Sequence, residues 1–582
     1  MRITASLVGQ FFRFRCNRQF IWESIPVSER GPAIPVGERP VAGELLREAG
    51  REWERRQLRR LIWRVGDDRV LHGGWDENGR ARKLPYAQVV AALREPGELR
   101  FLLQPELQLP DPDAFARHWG LDPSRVAFAT GQPDLLQIRR TSRGLRFRLI
   151  DIKASREAGL AHFAQVAFYT FLLEEICRAE GLPGRTDTRR ARIWSRSGAE
   201  LFDLRPYRHH LRRFFREELP ALSGTAPAES AWHVDAGCTG CGFRAHCRAE
   251  ANRTDDLARV PGITPLAKQV LQARGIHTVR DLAGALRRDT YTGCHALESQ
   301  SLVLKQRAQA LRYGKIFDVQ RETHRMAASA ADPILIVAER DPITRICFAV
   351  GMRRKGGRSA TWLATDGTPE AEREMLCGWL AALGEQAFGA GIGVLVWDAA
   401  EWSALGEALD RHGRDPVLQR LLAPVLAVLA PGDDAPLTVL HDVVADLFAL
   451  PIPYGYDLPS VSGCLQPSAA PHVHSASPDW QDVHRAWAGD ATARSTLESA
   501  LSSKLDGLHS VLRAVRERSE RRGKLRQQPA RPKAAIATEP LAHPELEALR
   551  VATRMESAAQ SAWIRALHAL PAEQRARRWE CI

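Results

Sequence analysis

The sequence predicts a multidomain α/β protein, and three observations carry that reading. Two strand-like runs flank the turn Thr141-Ser142-Arg143-Gly144, one through Val126, Phe128, Leu135, Leu136 and Ile138, the other through Leu145, Phe147, Leu149, Ile150 and Ile152. Amphipathic helices bracket them, from Gly43 to Val65 and from Leu160 to Glu180. From about Asp332 strands and helices alternate again, and a chain of 582 residues has room for about three or four domains.

The apolar share of 44% is that of an ordinary globular protein. No run of about eighteen apolar residues occurs, and Met1-Arg2-Ile3-Thr4 opens no signal-peptide core, so a cytoplasmic protein without membrane attachment is expected. The net charge of +13, carried largely by arginine, suits a polyanionic partner. Ten cysteines in such a chain do not suggest a disulfide framework.

In chain order, Thr4 to Cys16 reads as a short N-capped helix ending at a cysteine, and residues 24–42 as loop. In the Gly43–Val65 helix, Leu45, Leu46, Ala49, Trp53, Leu58, Leu61 and Ile62 form the apolar stripe, and Glu54 stands at its edge, within reach of a site at the sheet edge. The strand pair carries Gly131-Gln132-Pro133-Asp134 and Asp151-Ile152-Lys153. Asp151 and Lys153 share one face at period two in an otherwise apolar strand, where burial without a task is costly. Two carboxylates and an ammonium at one end of two strands suit Mg²⁺-dependent phosphodiester cleavage, in which oxygen ligands hold a hydrated dication and a fixed cation offsets developing charge. On the next helix Gln165 and Tyr169 stand four apart, on one face. The run Cys238-Thr239-Gly240-Cys241, followed by Cys247, has metal-ligand spacing. Its fourth ligand is either His246, giving a zinc knuckle, or distant Cys16, giving an all-thiolate site that favours an iron–sulfur cluster.

Cys16, Gly50-x-x-Trp53-Glu54, Gly131-x-Pro133-Asp134, Asp151-x-Lys153, Gln165-x3-Tyr169 and the Cys238/Cys241/Cys247 triplet stand in the order seen in RecB-like PD-(D/E)xK nucleases with an iron–sulfur cluster, of the AddB and CRISPR-associated exonuclease type. Residues 1 to about 250 resemble that family. The resemblance implies a restriction-endonuclease-like core in which Glu54, Asp134 and Asp151 bind Mg²⁺ or Mn²⁺, Lys153 assists the attacking water, and Gln165 and Tyr169 support substrate. It also implies that Cys16, Cys238, Cys241 and Cys247 hold a 4Fe-4S cluster stapling the start of the domain to its end. Glutamate stands at 54 where some relatives place histidine, and aspartate at 151 where many place glutamate; either exchange keeps a ligand.

The expected domains are 1–252 for the nuclease, 253–325 for a helix-hairpin-helix and helical linker, 330–515 for an RNase H-like domain, and 516–582 for a basic linker and C-terminal helices. Leu257 to Ile263 and Gly275 to Leu282 resemble helix-hairpin-helix turns, whose backbone N–H groups meet phosphate without reading sequence. The RNase H-like resemblance implies paired carboxylates on the first strand, but Val337 fills the first place and only Glu339 remains. Asp398, Glu401 and Asp442 are the mid-domain acids and Asp506 the last, so that domain is expected to be degenerate and to bind a strand or partner. Residues 465–480 read as loop, Ala491 to Arg518 as helix, Arg516 to Lys533 as a basic arm and His543 to Arg578 as closing helices. No phosphate-loop motif occurs, so any motor is a separate helicase partner. The expectation is a DNA nuclease, an exonuclease on single-stranded ends, in DNA repair or anti-phage defence; the alternative is a catalytically weak DNA-binding scaffold that recruits the helicase.

Overall fold

The computed structural model describes residues 1–32, 34–37, 41–155, 158–196, 198–285, 294–319, 323–324, 333–341, 344–354, 357, 359–385, 393–425, 429, 437–466, 480–522 and 526–527. The chain divides into two compact units, Met1–Arg248 and Ala249–Ile582. The closing helices expected between His543 and Arg578, half of the basic arm and the loop at 467–479 lie outside the described residues.

The first unit is built on a seven-stranded mixed sheet. Across it run Val70–Leu71, Phe101–Leu103, Leu135–Thr141, Gly144–Ile152, Arg190–Ser195 and Gly198–Asp203, with Arg185–Thr186 also paired to Gly144–Ile152. The hairpin at its centre is the one expected: Thr141 pairs with Gly144 around a two-residue loop, and Gly144 takes φ +96°, which a side chain would strain. Burial follows the apolar pattern, with Leu135, Leu136, Ile138, Phe147, Leu149 and Ile150 all inside.

Helix Leu160–Ala179 covers one face, burying Val166, Ala167, Thr170 and Leu173. Gly131 lies so close to it that a β-carbon there would stand 2.6 Å from Cδ1 of Leu172. Helix Val41–Val65 packs Leu58 and Leu61 against Phe101, Leu103, Ile150 and Ile152 on the other face. The N-terminal helix ends at Arg15, just before Cys16, and a second helix follows it. Thr4 caps Ala5–Phe14, Arg15 turns the chain at φ 51°, and Cys16 precedes Asn17–Ser24. Trp22 Nε1 donates to the carbonyl of Pro227 (3.2 Å) and the Arg18 N–H to that of Ala231 (3.2 Å), tying the second helix to the end of the unit.

In the second unit, Pro265–Gln272, Val279–Gly284 and His295–Tyr313 enclose a small core of Leu257, Ile263, Leu271, Leu282 and Leu304. A five-stranded sheet follows in the order Ala360–Leu363, Cys347–Arg353, Ile334–Arg340, Val394–Val396, Leu437–Val439. The first three are antiparallel and the last two parallel to the central strand. Helices Pro369–Gly384 and Ala399–His412 and the long helix Ala491–Arg522 contribute to its two cores. Among the described residues no helix is long and apolar enough to cross a membrane.

Candidate active site

Strand register builds the centre of the site. Leu135 pairs with Ile150, so one step beyond the ladder Asp134 stands opposite Asp151. Neighbours across a strand pair face the same side, which brings the two carboxyls together. Both are inside, at 9% and 1% exposure. Oδ2 of Asp134 accepts the Ile152 N–H at 2.6 Å, which fixes its rotamer. Lys153 lies just past the strand end rather than within it; its N–H donates to Trp194 carbonyl (2.8 Å), and its Nζ sits 2.7 Å from Oδ2 of Asp151. That contact is a close ammonium–carboxylate pair.

Glu54 joins through a residue that the sequence reading did not single out. Gln104 Nε2 donates to Oδ1 of Asp134 (3.2 Å) and also to Oε1 of Glu54. Gln104 is buried directly after strand Phe101–Leu103 and sits at φ 47°, a left-handed conformation that costs a non-glycine residue free energy. A glutamine after an apolar run gives no local sign of this; its only signal is position at the end of a strand next to the Asp134 strand.

The electrostatics follow from this crowding. Burial, then the neighbouring Asp151, raises the Asp134 carboxyl well above its ordinary range, and Lys153 offsets this only in part. Burial also raises Glu54, opposed by Lys153 and reinforced by Asp151. Burial alone would weaken the Lys153 charge, but Asp151 and Asp134 outweigh it and hold the ammonium above its usual value. Tyr169 and Gln165 are brought to the same place. Gln165 Nε2 donates to the Tyr169 hydroxyl (3.2 Å), which donates to the Gln132 carbonyl (3.0 Å), and Tyr169 lies within the field of Asp151 and Lys153. His162, one turn earlier, is pushed down to about 4 by burial and by Lys153.

Three buried or part-buried carboxylates gathered against one ammonium leave excess negative charge, so the donor set fits a hard divalent cation. Gln104 and Lys153 occupy the acids as they stand. Among the described residues no group of three or more His, Cys, Asp or Glu is already arranged to cage an ion.

The cysteines form a second cluster. Cys241 feels the charges of Cys16, Cys238 and Cys247, and Cys16 feels that of Cys247, so distant Cys16 shares the neighbourhood of the triplet. The ring of His246 packs edge-on against Trp22 at 5.4 Å. Burial pushes the Cys241 thiol up to about 12 and raises those of Cys16 and Cys238. Buried Arg18, between the rings of Trp22 (4.9 Å) and Trp232 (4.5 Å), directs Nη1 to Sγ of Cys247 at 3.9 Å.

In the second unit the expected acids have other partners. Lys504 Nζ lies 2.6 Å from Glu339 and 2.7 Å from Glu401, and all three side chains are buried. Asp398 caps helix Ala399–His412 through the N–H groups of Ala400 and Glu401, Asp442 lies 3.4 Å from Nδ1 of His441, and Asp506 pairs with Arg353.

No curated protein and no solved structure matches the chain. Residues 27–248, which hold Glu54, Asp134, Asp151, Lys153, Gln165 and Tyr169, match the family model of the PD-(D/E)XK nuclease superfamily, whose members are nucleases that use divalent metals such as Mg²⁺.

Proposed function

We propose that the chain is a divalent-metal-dependent DNA nuclease that hydrolyses phosphodiester bonds at single-stranded ends, with Glu54, Asp134 and Asp151 as metal ligands. The observation that carries this reading is the meeting of Asp134 and Asp151 across the hairpin with Lys153 on Asp151, inside the stretch that matches a nuclease superfamily. A bound Mg²⁺ or Mn²⁺ would polarise the scissile phosphate and favour loss of a proton from the attacking water. Lys153 contributes a fixed positive charge where the phosphorane builds negative charge. Gln104 keeps Glu54 and Asp134 together, and the Tyr169 hydroxyl, held by Gln165 and the Gln132 carbonyl, lies in the field of Asp151 and Lys153. Water adds to phosphorus, the bond to one ester oxygen breaks, and that oxygen leaves with a proton.

The shared neighbourhood of Cys16 with Cys238, Cys241 and Cys247 supports a 4Fe-4S staple in the same unit. In the second unit the small helical core supports a helix-hairpin-helix, and the mixed sheet with Glu339 on its central strand supports a degenerate RNase H-like domain. Repair or anti-phage defence with a helicase partner is the setting that fits such an enzyme. The decisive assay is labelled single-stranded DNA with Mn²⁺, comparing the wild type with Asp151→Ala and Lys153→Ala. Both variants should lose cleavage, and unchanged cleavage in both removes the site.

A further inference from the structure

We propose that the outer face of helix Val41–Val65 is a stacking and charge surface for single-stranded nucleic acid, centred on Trp63; the inference rests on the nuclease reading above. The helix has two chemically distinct sides. At 100° per residue, Glu54, Leu58, Leu61 and Val65 fall together on the side that meets the sheet, and Leu58 and Leu61 are indeed buried there. Arg56, Arg60 and Trp63 fall on the opposite side, with Arg59 and Arg64 at its borders, and all five are exposed.

Trp63 is 84% exposed, the most open large apolar side chain among the described residues. An indole left in water on a stable helix gains nothing from folding, and here it lies among guanidinium groups rather than in an apolar patch. Arg56 pairs loosely with Glu52 (3.3 Å), and Arg59 lies over the ring of Trp75 at 5.5 Å. Among the described residues, no acidic side chain pairs with Arg60 or Arg64. The first acids after the helix in the chain, Asp67 and Asp68, pair with His72 (3.4 Å) and Arg69 (3.7 Å).

An aromatic face within a row of cations is what a single strand needs. Any base can stack on the ring, and the backbone phosphates meet the arginines without sequence being read. Duplex DNA offers the phosphates but hides the base faces, so the tryptophan selects single strands and the arginines alone do not. Trp63 is nine residues beyond Glu54, about 13 Å along the helix axis. A strand whose end reaches Glu54, Asp134 and Asp151 can therefore pass around the same helix and be held a short way behind the cut. The helix would supply a metal ligand from one side and a substrate grip from the other.

The test uses the full chain with Asp151→Ala, so that binding is read without cleavage, in EDTA, by fluorescence anisotropy. The probes are labelled oligothymidylate and a blunt duplex of the same length. Adding Trp63→Ala should weaken single-strand binding about 5- to 100-fold and leave duplex binding within about twofold, while Trp63→Phe keeps most of the affinity. Arg60→Ala and Arg64→Ala should each flatten the slope of log K against log salt by about 0.7 for the single strand. A Trp63→Ala protein that binds oligothymidylate as tightly as its parent overturns the proposal and leaves this face to a protein partner. Equal losses on single strand and duplex overturn it as well. Neither result touches the nuclease reading, which stands or falls on cleavage by the wild type.

Discussion

Nζ of Lys153 lies 2.7 Å from Oδ2 of Asp151, a full positive charge held directly against the acids of the site. Asp151 has a side chain 2% exposed, so removing the lysine leaves a buried carboxylate without its counter-charge. Lys153→Ala should therefore cost about 3–5 kcal/mol in the metal-free protein. Cleavage should fall about 10²–10³-fold even with saturating Mn²⁺, as when one donor to a developing oxyanion is deleted. Denaturant melts and single-turnover rates read the two effects separately. A variant with full rate and full stability would mean the lysine is a bystander.

Gln104 provides the sharper test of the geometry, because its two roles separate. The amide bridges Glu54 and Asp134, and the backbone is left-handed. Loss of an outer partner that orients metal ligands costs about 10–100-fold in metal affinity or activity. Both Gln104→Ala and Gln104→Gly should thus raise the Mn²⁺ concentration for half-maximal cleavage by that factor. The glycine variant should nevertheless be more stable than the alanine variant by about 1 kcal/mol, since only glycine accepts that φ without strain. Identical melts for the two would refute the strained backbone.

The contrast between Gln104 and Asp134 shows what was legible in the sequence. Asp134 and Asp151 announce themselves because a charged residue in an apolar strand is costly, and a hairpin with a two-residue turn fixes its register locally. Glu54 was legible only as a helix residue at the edge of a stripe, and Gln104 not at all, since its place depends on which strands become neighbours. The helix Asn17–Ser24 was missed because its eight residues mix polar and apolar side chains without a clear stripe. In the second unit the spacing of the acids was visible, but Lys504, far along the chain from Glu339, cannot be matched to it without the fold.

Proton and metal compete for the same acids, and the sign is set by the raised values of Asp134 and Glu54. Each holds its proton more firmly in the folded protein than unfolded, through burial and then through charged neighbours. Their contribution to stability is complete below the unfolded carboxylate values and is lost as pH rises through the higher folded ones. His162 acts in the opposite direction: its value is depressed to about 4, so its contribution is present above about 6.5 and fades as pH falls. Asp134→Asn isolates the first effect. Without metal, its melting temperature minus that of the wild type should increase steadily from pH 4 to pH 8, and saturating Mn²⁺ should reverse the difference by stabilising the wild type alone. A difference that is flat with pH would show that the acids do not repel one another.

Lys504 holds the second unit together by the same kind of interaction. It lies between Glu339 on the central strand and Glu401 on helix Ala399–His412, all buried, and burial raises the Glu401 carboxyl to about 7 against the pull of the lysine. Lys504→Ala should destabilise this unit by about 3–5 kcal/mol and speed hydrogen exchange in Ile334–Arg340. Replacing all three charges by apolar residues of similar size should restore most of the loss. Cleavage by the folded fraction should not change. Exchange as slow as in the wild type would mean the triad adds nothing to that strand.

Cys16 makes the last prediction, because it alone among the four thiols lies outside the stretch that matches the nuclease family. Cys16 and Cys238 are raised and Cys241 reaches about 12, each first through burial, so without a metal group these sulfurs are protonated. Loading a cluster must drive off those protons, and buried Arg18 beside Cys247 offsets part of the charge that results. Anaerobically purified protein should contain iron and sulfide in equal amounts and absorb in the visible. Cys16→Ser should lose both and expose helix Asn17–Ser24 to protease, since that helix is held to the end of its unit by Arg18 and Trp22. Arg18→Ala should keep the ligands yet lose iron faster on exposure to air than Arg18→Lys. Full iron content in Cys16→Ser would show that the distant cysteine is not a ligand and that the N-terminal helix is held by its packing alone.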